Sequence, residues 1–271
     1  TQEEKLGGSQ NAGVSRVQMS DGSEAALKIY PDDDKHDRLH SEFEGITLLR
    51  EFGIRQVPEP IAYCRNLNAG MYSWVPGESI SNASQYDVTQ ALNLVERIHS
   101  IRNMPQFSSF PNASAAVFSG HQLEQQIQER LKNLGGETIK STSLEDFLTN
   151  DLKPTANEIF QWCRSCWPRF IGYDEAISFQ DRTLSPSDFG FHNALRQPNS
   201  RIIFFDFEYF GWDDPAKLIG DFILHPGMSL SDNLKAIWVD AAGKLFGGSV
   251  IARLKIMWPL LGLCWCLILL N

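Results

Sequence analysis

The stretch SDFGFHNALRQPNSRIIFFDFE, residues 187–208, carries the pattern that decides the fold. Residues 197–200, Gln-Pro-Asn-Ser, separate two short runs that are mostly apolar. Pro, Asn and Ser are typical turn residues, so the stretch predicts a β-hairpin in which residues 194–196 pair with residues 201–203.

Three polar side chains of this stretch point to chemistry. The predicted register places Asn193 opposite Phe204, and Asp206 follows two residues later, about 7 Å along the strand at roughly 3.3 Å per residue. An amide oxygen and a carboxylate at the same end of a hairpin can share a hard cation such as Mg²⁺. Asp188 lies on the preceding loop, where it can accept a proton from a hydroxyl nucleophile. We therefore predict that Asp188 is the catalytic base and that Asn193 and Asp206 are the metal ligands.

The rest of the chain predicts an α+β fold with two lobes. Strands are expected at residues 14–19, 24–30, 57–63 and 71–75, and one helix with apolar positions at helical spacing is expected at residues 34–52. Helical patterns dominate from Tyr86 onward. The predicted division is a β-rich N-terminal lobe, residues 1–76, and a mainly helical C-terminal lobe, residues 77–271.

The spacing Asp-x-x-x-x-Asn followed by a metal-binding Asp resembles the catalytic loop of the aminoglycoside phosphotransferase and choline kinase family. Asp206-Phe207-Glu208-Tyr209 and the later Asp214-Pro215 are also similar to that family's metal loop and the segment after it. The resemblance covers most of the chain. It implies a protein-kinase-like fold and the transfer of a phosphoryl group from ATP, with Mg²⁺, to a hydroxyl group of a small molecule. That acceptor would be an aminoglycoside, a sugar or an amino alcohol such as choline.

Pro186 departs from the family pattern, which usually has His two residues before the catalytic Asp. Proline cannot donate the hydrogen bond that a histidine would donate there. A nucleotide-binding pseudokinase that works as an interaction module is therefore the alternative function. A protein kinase is disfavoured because no Ala-Pro-Glu segment follows Asp206.

Lys28 and Glu42 provide an independent test of the resemblance. Lys28 lies on a predicted strand, where kinases place a lysine that holds the nucleotide phosphates. Glu42 lies at the edge of the apolar face of the predicted helix, and a carboxylate there is costly unless it is paired. We therefore expect a Lys28–Glu42 ion pair, with the neighbouring Glu44 as the other candidate partner.

Two further segments are expected to contact the nucleotide. Gly8 and Ser9 lie in the Gly-rich stretch LGGSQNAG, which resembles the family's phosphate-covering loop. The stretch from Met71 to Gly77 resembles the hinge, where the backbone of Ser73 and Val75 can hydrogen-bond an adenine edge.

The acceptor site is expected near Glu208, Tyr209, Trp212 and Asp213, because these residues directly follow the metal ligand. Carboxylates would bind a cationic acceptor, and aromatic faces would bind a quaternary ammonium or a sugar. The other interpretation is that Tyr209 and Trp212 pack this loop onto the helical lobe.

Composition limits the partners and the compartment. A net charge of −9 argues against nucleic acid, since phosphate backbones need clustered Lys and Arg. Five cysteines and an acidic, polar N-terminus favour the reducing cytoplasm over secretion. The uncharged residues 256–270 predict a buried helix, interrupted by Pro259, with no membrane partner. The oligomeric state is left open.

Overall fold

The computed structural model describes residues 3–8, 12–32, 36–134 and 142–270, and it describes no side chains at 3–8 and 142. Backbone contacts divide the chain into two compact units. The first unit combines Thr1–Ser114 with Leu184–Trp212, and the second combines Ala115–Thr183 with Asp213–Asn271. The predicted boundary at residue 76 concerns functional lobes rather than these units, and it stays a prediction.

An antiparallel five-stranded sheet forms much of the first unit. Its strands, in the order β1-β2-β3-β5-β4, are β1 (Glu3–Gly8), β2 (Gly13–Gln18), β3 (Glu24–Ile29), β4 (Pro60–Cys64) and β5 (Ala69–Ser73). Sequence analysis located β2 and β3 to within one residue. The turn between them closes with the N–H of Met19 donating to the carbonyl of Ser23, and Gly22 takes the positive φ of 85° that this turn needs.

Helix α1 (Arg38–Glu51) follows β3 in the chain and begins four residues later than predicted. Its start is set by Asp37, whose carboxylate accepts the N–H of His40 at 2.9 Å as an N-cap. The helix places Leu39, Ile46 and Leu49 in the core. Helix α2 (Gln85–Ile101) also belongs to this unit, and it begins with a capping box between Ser84 and Asp87.

The predicted hairpin is present, with a corrected register. Strands β6 (Glu78–Ser79), β8 (Ala194–Arg196) and β9 (Ile202–Phe204) form a sheet in which Ala194, not Asn193, lies opposite Phe204. The reason is a loop of three residues rather than four. The N–H of Gln197 donates to the carbonyl of Arg201 at 2.8 Å, and Ser200 adopts a left-handed φ of 64°.

A two-stranded sheet pairs β7 (Thr183–Ser185) with β10 (Gly211–Asp213), and the chain passes between the units within these strands. The second unit is otherwise helical. Its helices are α3 (Gly120–Leu134), α4 (Thr142–Phe147), α5 (Lys153–Cys166), α6 (Pro215–Leu224), α7 (Asp232–Phe246) and α8 (Gly248–Leu270), with a π-helical turn (Leu148–Leu152) between α4 and α5.

Helix α8 corrects the sequence-based interpretation of the C-terminal segment. It runs for 23 residues straight through Pro259, so the proline does not end the helix. It is long and apolar enough to cross a membrane by length and composition, yet 44% of its apolar window is buried within the protein. Its contacts with α3, α5, α6 and α7 account for that burial.

Candidate active site

A cleft of about 410 Å³ lies within the first unit. It is lined by parts of β2, β3 and β5, by α1, and by the chain directly after β9. Among its lining residues are five that the sequence assigned to nucleotide or metal binding: Lys28, Glu42, Ser73, Val75 and Asp206.

Lys28 is the centre of a buried charge cluster in this cleft. Its ammonium group lies 2.6 Å from Glu42 Oε2 and 3.0 Å from Glu208 Oε2, and it also contacts the Asp206 carboxylate. Only 7% of Lys28 is exposed. Burial by itself lowers the pKa of Lys28, but the charges of Glu42, Asp206 and Glu208 outweigh it and raise the pKa. The lysine therefore stays protonated at all physiological pH values.

Glu42 positions Lys28 and also binds the chain after Asp206. Its Oε2 accepts the hydroxyl of Tyr30 at 2.8 Å, and its Oε1 accepts the N–H of Phe207 at 3.1 Å. Burial raises the pKa of Glu42, and the charge of Lys28 opposes that rise. The predicted ion pair is thus present, and the alternative partner Glu44 is exposed on the other side of α1.

Glu208 belongs to the same charge cluster as Lys28, a contact that the sequence did not predict. It is 1% exposed, and its Oε1 lies 3.1 Å from Arg38 Nη1. His36 Nε2 lies 3.0 Å from its backbone carbonyl oxygen. The expectation that Glu208 binds the acceptor is wrong for this structure, because both of its oxygens face cations of the first unit. Its position two residues after a metal-type Asp was the available signal.

The catalytic loop brings Asp188 and Asn193 together. Asn193 Nδ2 donates to the backbone oxygen of Asp188 at 3.0 Å and to its Oδ2 at 3.2 Å. His192 Nε2 lies 3.1 Å from Asp188 Oδ1, a contact that no pattern in the sequence predicts. The Asn193 carbonyl accepts the N–H of Phe205 at 3.0 Å, so Asn193 lies beside the residue that precedes Asp206. Asp188 and Asn193 themselves do not line the cleft.

Oxygen donors around Asp206 fit a hard cation. Carboxylate oxygens of Glu42, Asp206 and Glu208 lie within 4.8 Å of one another around the Lys28 ammonium group, and of these three side chains that of Asp206, 32% exposed, is the one open to a metal ion. With its Nδ2 donated to Asp188, Asn193 has its Oδ1 left to serve as a further oxygen ligand. This donor set suits Mg²⁺, which prefers carboxylate and carbonyl oxygens.

The model of the Phosphotransferase enzyme family, APH, matches residues 4–253. The chain belongs to this family. No curated protein matches the chain in a sequence search.

Three solved structures share the fold of this phosphotransferase. Choline kinase from Cryptosporidium parvum Iowa II is 11% identical, with 99% of this chain and 83% of that chain covered and a TM-score of 0.64. An aminoglycoside-3'-phosphotransferase of type VIII is 15% identical, with coverage of 97% and 93% and a TM-score of 0.58. A spectinomycin phosphotransferase in complex with ADP and spectinomycin is 12% identical, with coverage of 100% and 83% and a TM-score of 0.63. The α+β, protein-kinase-like fold and the assignment as a kinase are thereby confirmed.

The predicted hinge of the phosphotransferase is only partly open to a nucleotide base. The N–H of Ser73 donates to the carbonyl of Glu59 at 2.7 Å, and Ser73 Oγ accepts the N–H of Glu59 at 2.9 Å. The N–H of Ser73 is therefore unavailable to adenine, whereas Val75 lines the cleft. Gly8 pairs with Gly13 in the sheet, and Ser9 lies outside the described residues.

Trp212 is a core residue of the phosphotransferase rather than part of an acceptor site. It is 2% exposed, and its Nε1 donates to the Phe107 carbonyl at 3.0 Å. Asp213 is fully buried as well. Tyr209 is half-buried, with the Arg38 guanidinium carbon 5.1 Å from its ring centre. The interpretation that the aromatic residues pack this loop onto the helical lobe is therefore supported for Trp212, whereas Tyr209 contacts His36 and Arg38 of the N-terminal lobe.

Proposed function

We propose that this kinase uses ATP and Mg²⁺ to phosphorylate a hydroxyl group of a small molecule. The observation that carries the proposal is the buried cluster of Lys28, Glu42 and Asp206 in a cleft of nucleotide size. A lone lysine would serve many functions. A lysine fixed by a helix glutamate, beside an Asp that follows a Asp-x-x-x-x-Asn loop, is the arrangement that phosphoryl transfer requires.

Each residue has a role that follows from its contacts. Lys28 would bind the phosphates of ATP, and Glu42 would keep its ammonium group in place. Asn193 and Asp206 would hold Mg²⁺, which when bound neutralises charge on the transferring phosphoryl group. The backbone near Val75 would contact the base.

Asp188 would orient the acceptor hydroxyl and take its proton. Its two carboxylate oxygens are held by hydrogen-bonding partners on the same loop, Asn193 and His192. About 31% of its side chain remains exposed, so an acceptor can reach it. A base fixed in this way loses little entropy when the substrate binds.

One structural neighbour contains ADP, which supports ATP as the phosphoryl donor. The neighbours also include a choline kinase and a spectinomycin phosphotransferase, which supports an aminoglycoside, sugar or amino alcohol as the acceptor. Cytoplasmic localisation stays a prediction from the sequence. The pseudokinase alternative rests on Pro186, whose carbonyl accepts the N–H of Asp188 at 3.0 Å. The loop thus has a backbone contact beside its catalytic Asp despite the missing histidine.

The test is a screen of hydroxyl-bearing metabolites read by ADP release in the presence of Mg²⁺. We expect Asp188→Ala to lower turnover on any active acceptor by about 10²–10⁴-fold while ATP binding is retained. Asp232→Ala, at an exposed carboxylate of the second unit, is the matched control and should keep full turnover. Full turnover in Asp188→Ala would refute the assignment, and ATP binding without ADP release from any acceptor would favour the pseudokinase.

A further inference from the structure

A second cavity, of about 340 Å³, lies beside the nucleotide cleft in the first unit. The two cavities share Pro58, Ser73, Trp74 and Val75. The nucleotide cleft is lined by one lysine and two carboxylates, Lys28, Glu42 and Asp206, whereas three arginines line the second cavity: Arg50, Arg55 and Arg201. We call it the arginine cavity.

Positive charge in the arginine cavity is poorly compensated. Arg50 is anchored, with Nη1 donating to the Val57 carbonyl at 3.1 Å and Nη2 lying 3.3 Å from Glu59. No carboxylate lies within ion-pair distance of Arg55 or Arg201 in the described part of the chain. Three arginines therefore line this cavity with one largely exposed carboxylate, Glu59, in ion-pair contact with them, in a chain whose net charge is −9.

Two of the guanidinium groups, those of Arg50 and Arg55, are close enough to interact. Burial lowers the pKa of Arg50, and the charge of Arg55 lowers it further, against the opposite effect of Glu59. Like charges held near one another without an anion raise the free energy of the folded protein. An anionic ligand would remove that repulsion on binding.

The backbone that carries these arginines is fixed before any ligand arrives. Gln56, next to Arg55, accepts the N–H of Phe204 at 2.8 Å through its carbonyl. Arg201 closes the β8–β9 loop by accepting the N–H of Gln197 at 2.8 Å. Two chain segments, the end of α1 with the residues after it and the β8–β9 loop, thus bring three arginines to one cavity on a fixed backbone, which limits the backbone part of the entropy cost of binding.

We propose that the arginine cavity binds a dianionic phosphate group, either as free phosphate or as part of a small phosphate monoester. The excess of two positive charges matches a phosphate dianion, and planar guanidinium groups bind phosphate oxygens in pairs. The volume lies within the range of small-molecule sites and exceeds what phosphate alone fills. The proposal does not rest on the proposed function, since its three arginines take no part in phosphoryl transfer, although the cavity shares Val75 with the site proposed for the base.

Calorimetric titration with inorganic phosphate and, in parallel, with phenyl phosphate at low ionic strength tests the site. We expect one equivalent of probe to bind saturably. The probe that binds more tightly, inorganic phosphate or phenyl phosphate, shows whether the cavity takes free phosphate or a monoester. The variant Arg55→Gln/Arg201→Gln should weaken binding at least about ten-fold, because each guanidinium contributes charge-assisted hydrogen bonds. Both side chains are exposed, so folding should be retained and is checked by the thermal midpoint.

The matched control is Lys153→Gln/Arg169→Gln, which removes two exposed positive charges from the second unit. It should bind phosphate as the wild type does. Equal weakening in both double variants would show that only the overall charge matters, and absence of saturable binding of either probe to the wild type would also overturn the proposal.

Discussion

Replacing Lys28 with Met removes the cation that three carboxylates share. Glu42 and Glu208 are 3% and 1% exposed, so neither can recover full hydration when the lysine is lost. Asp206 is different, because 32% of its side chain is exposed. Arg38 would be the one remaining cation in contact with the cluster among the described residues.

The expected loss of stability is about 3–5 kcal/mol, the usual cost of removing one partner from a buried ion pair. The cluster has three carboxylates and two cations, an excess of one negative charge that becomes two in Lys28→Met. Glu208→Gln instead leaves two carboxylates and two cations. We therefore expect Glu208→Gln to change the free energy of unfolding by much less than Lys28→Met does.

Urea denaturation followed by circular dichroism measures this difference. A loss of about 3–5 kcal/mol should lower the midpoint of the first transition by about 1 M or more. Lys153→Met, at an exposed position, controls for the side-chain change itself and should leave the midpoint unchanged. A Lys28→Met midpoint equal to that of the wild type would show that the carboxylates are neutralised without Lys28, which would refute the reasoning.

Three other outcomes are expected. Asp206→Asn should reduce the Mg²⁺-dependent part of ATP binding more than Asn193→Ala does, because only the carboxylate carries formal charge. Calorimetry of ATP binding with and without Mg²⁺ measures this difference. Unchanged metal dependence in Asp206→Asn would contradict the metal role. Trp212→Ala should lower the free energy of unfolding by about 3–5 kcal/mol while the Michaelis constant for the acceptor stays fixed. A raised Michaelis constant at unchanged stability would instead show that Trp212 belongs to the acceptor site. Burial, helped by the charge of Arg102, lowers the pKa of His99 from 6.5 to about 4. Its contribution to stability is therefore present above pH 6.5 and is lost as the pH falls toward 4, so the thermal midpoint of His99→Gln should fall less over that interval than that of the wild type.

The Lys28–Glu42 pair shows what the sequence can predict. A carboxylate at the edge of an apolar helix face must find a cation, and a strand lysine with apolar neighbours is a suitable partner. Both conclusions need only local periodicity and the cost of a buried charge. The same reasoning could not reach Arg38 and Glu208, because these residues are 170 positions apart and no local pattern links them.

The predicted hairpin register is wrong by one residue for a related reason. The sequence Gln-Pro-Asn-Ser fits a loop of three or of four residues equally well. The loop length depends on the left-handed backbone conformation of Ser200, and a serine in the sequence does not predict this conformation. The buried position of Trp212 was likewise invisible, since an aromatic residue after a metal loop suits a binding site and a core alike.

The short loop at residues 198–200 has a consequence for how relatives of this chain can diverge. A residue gained or lost there that shifted the strand pairing by one position would turn every side chain of β8 or β9 to the opposite face, because neighbouring strand residues alternate between faces. Asn193 and Asp206 border these two strands, so such an insertion or deletion would separate them.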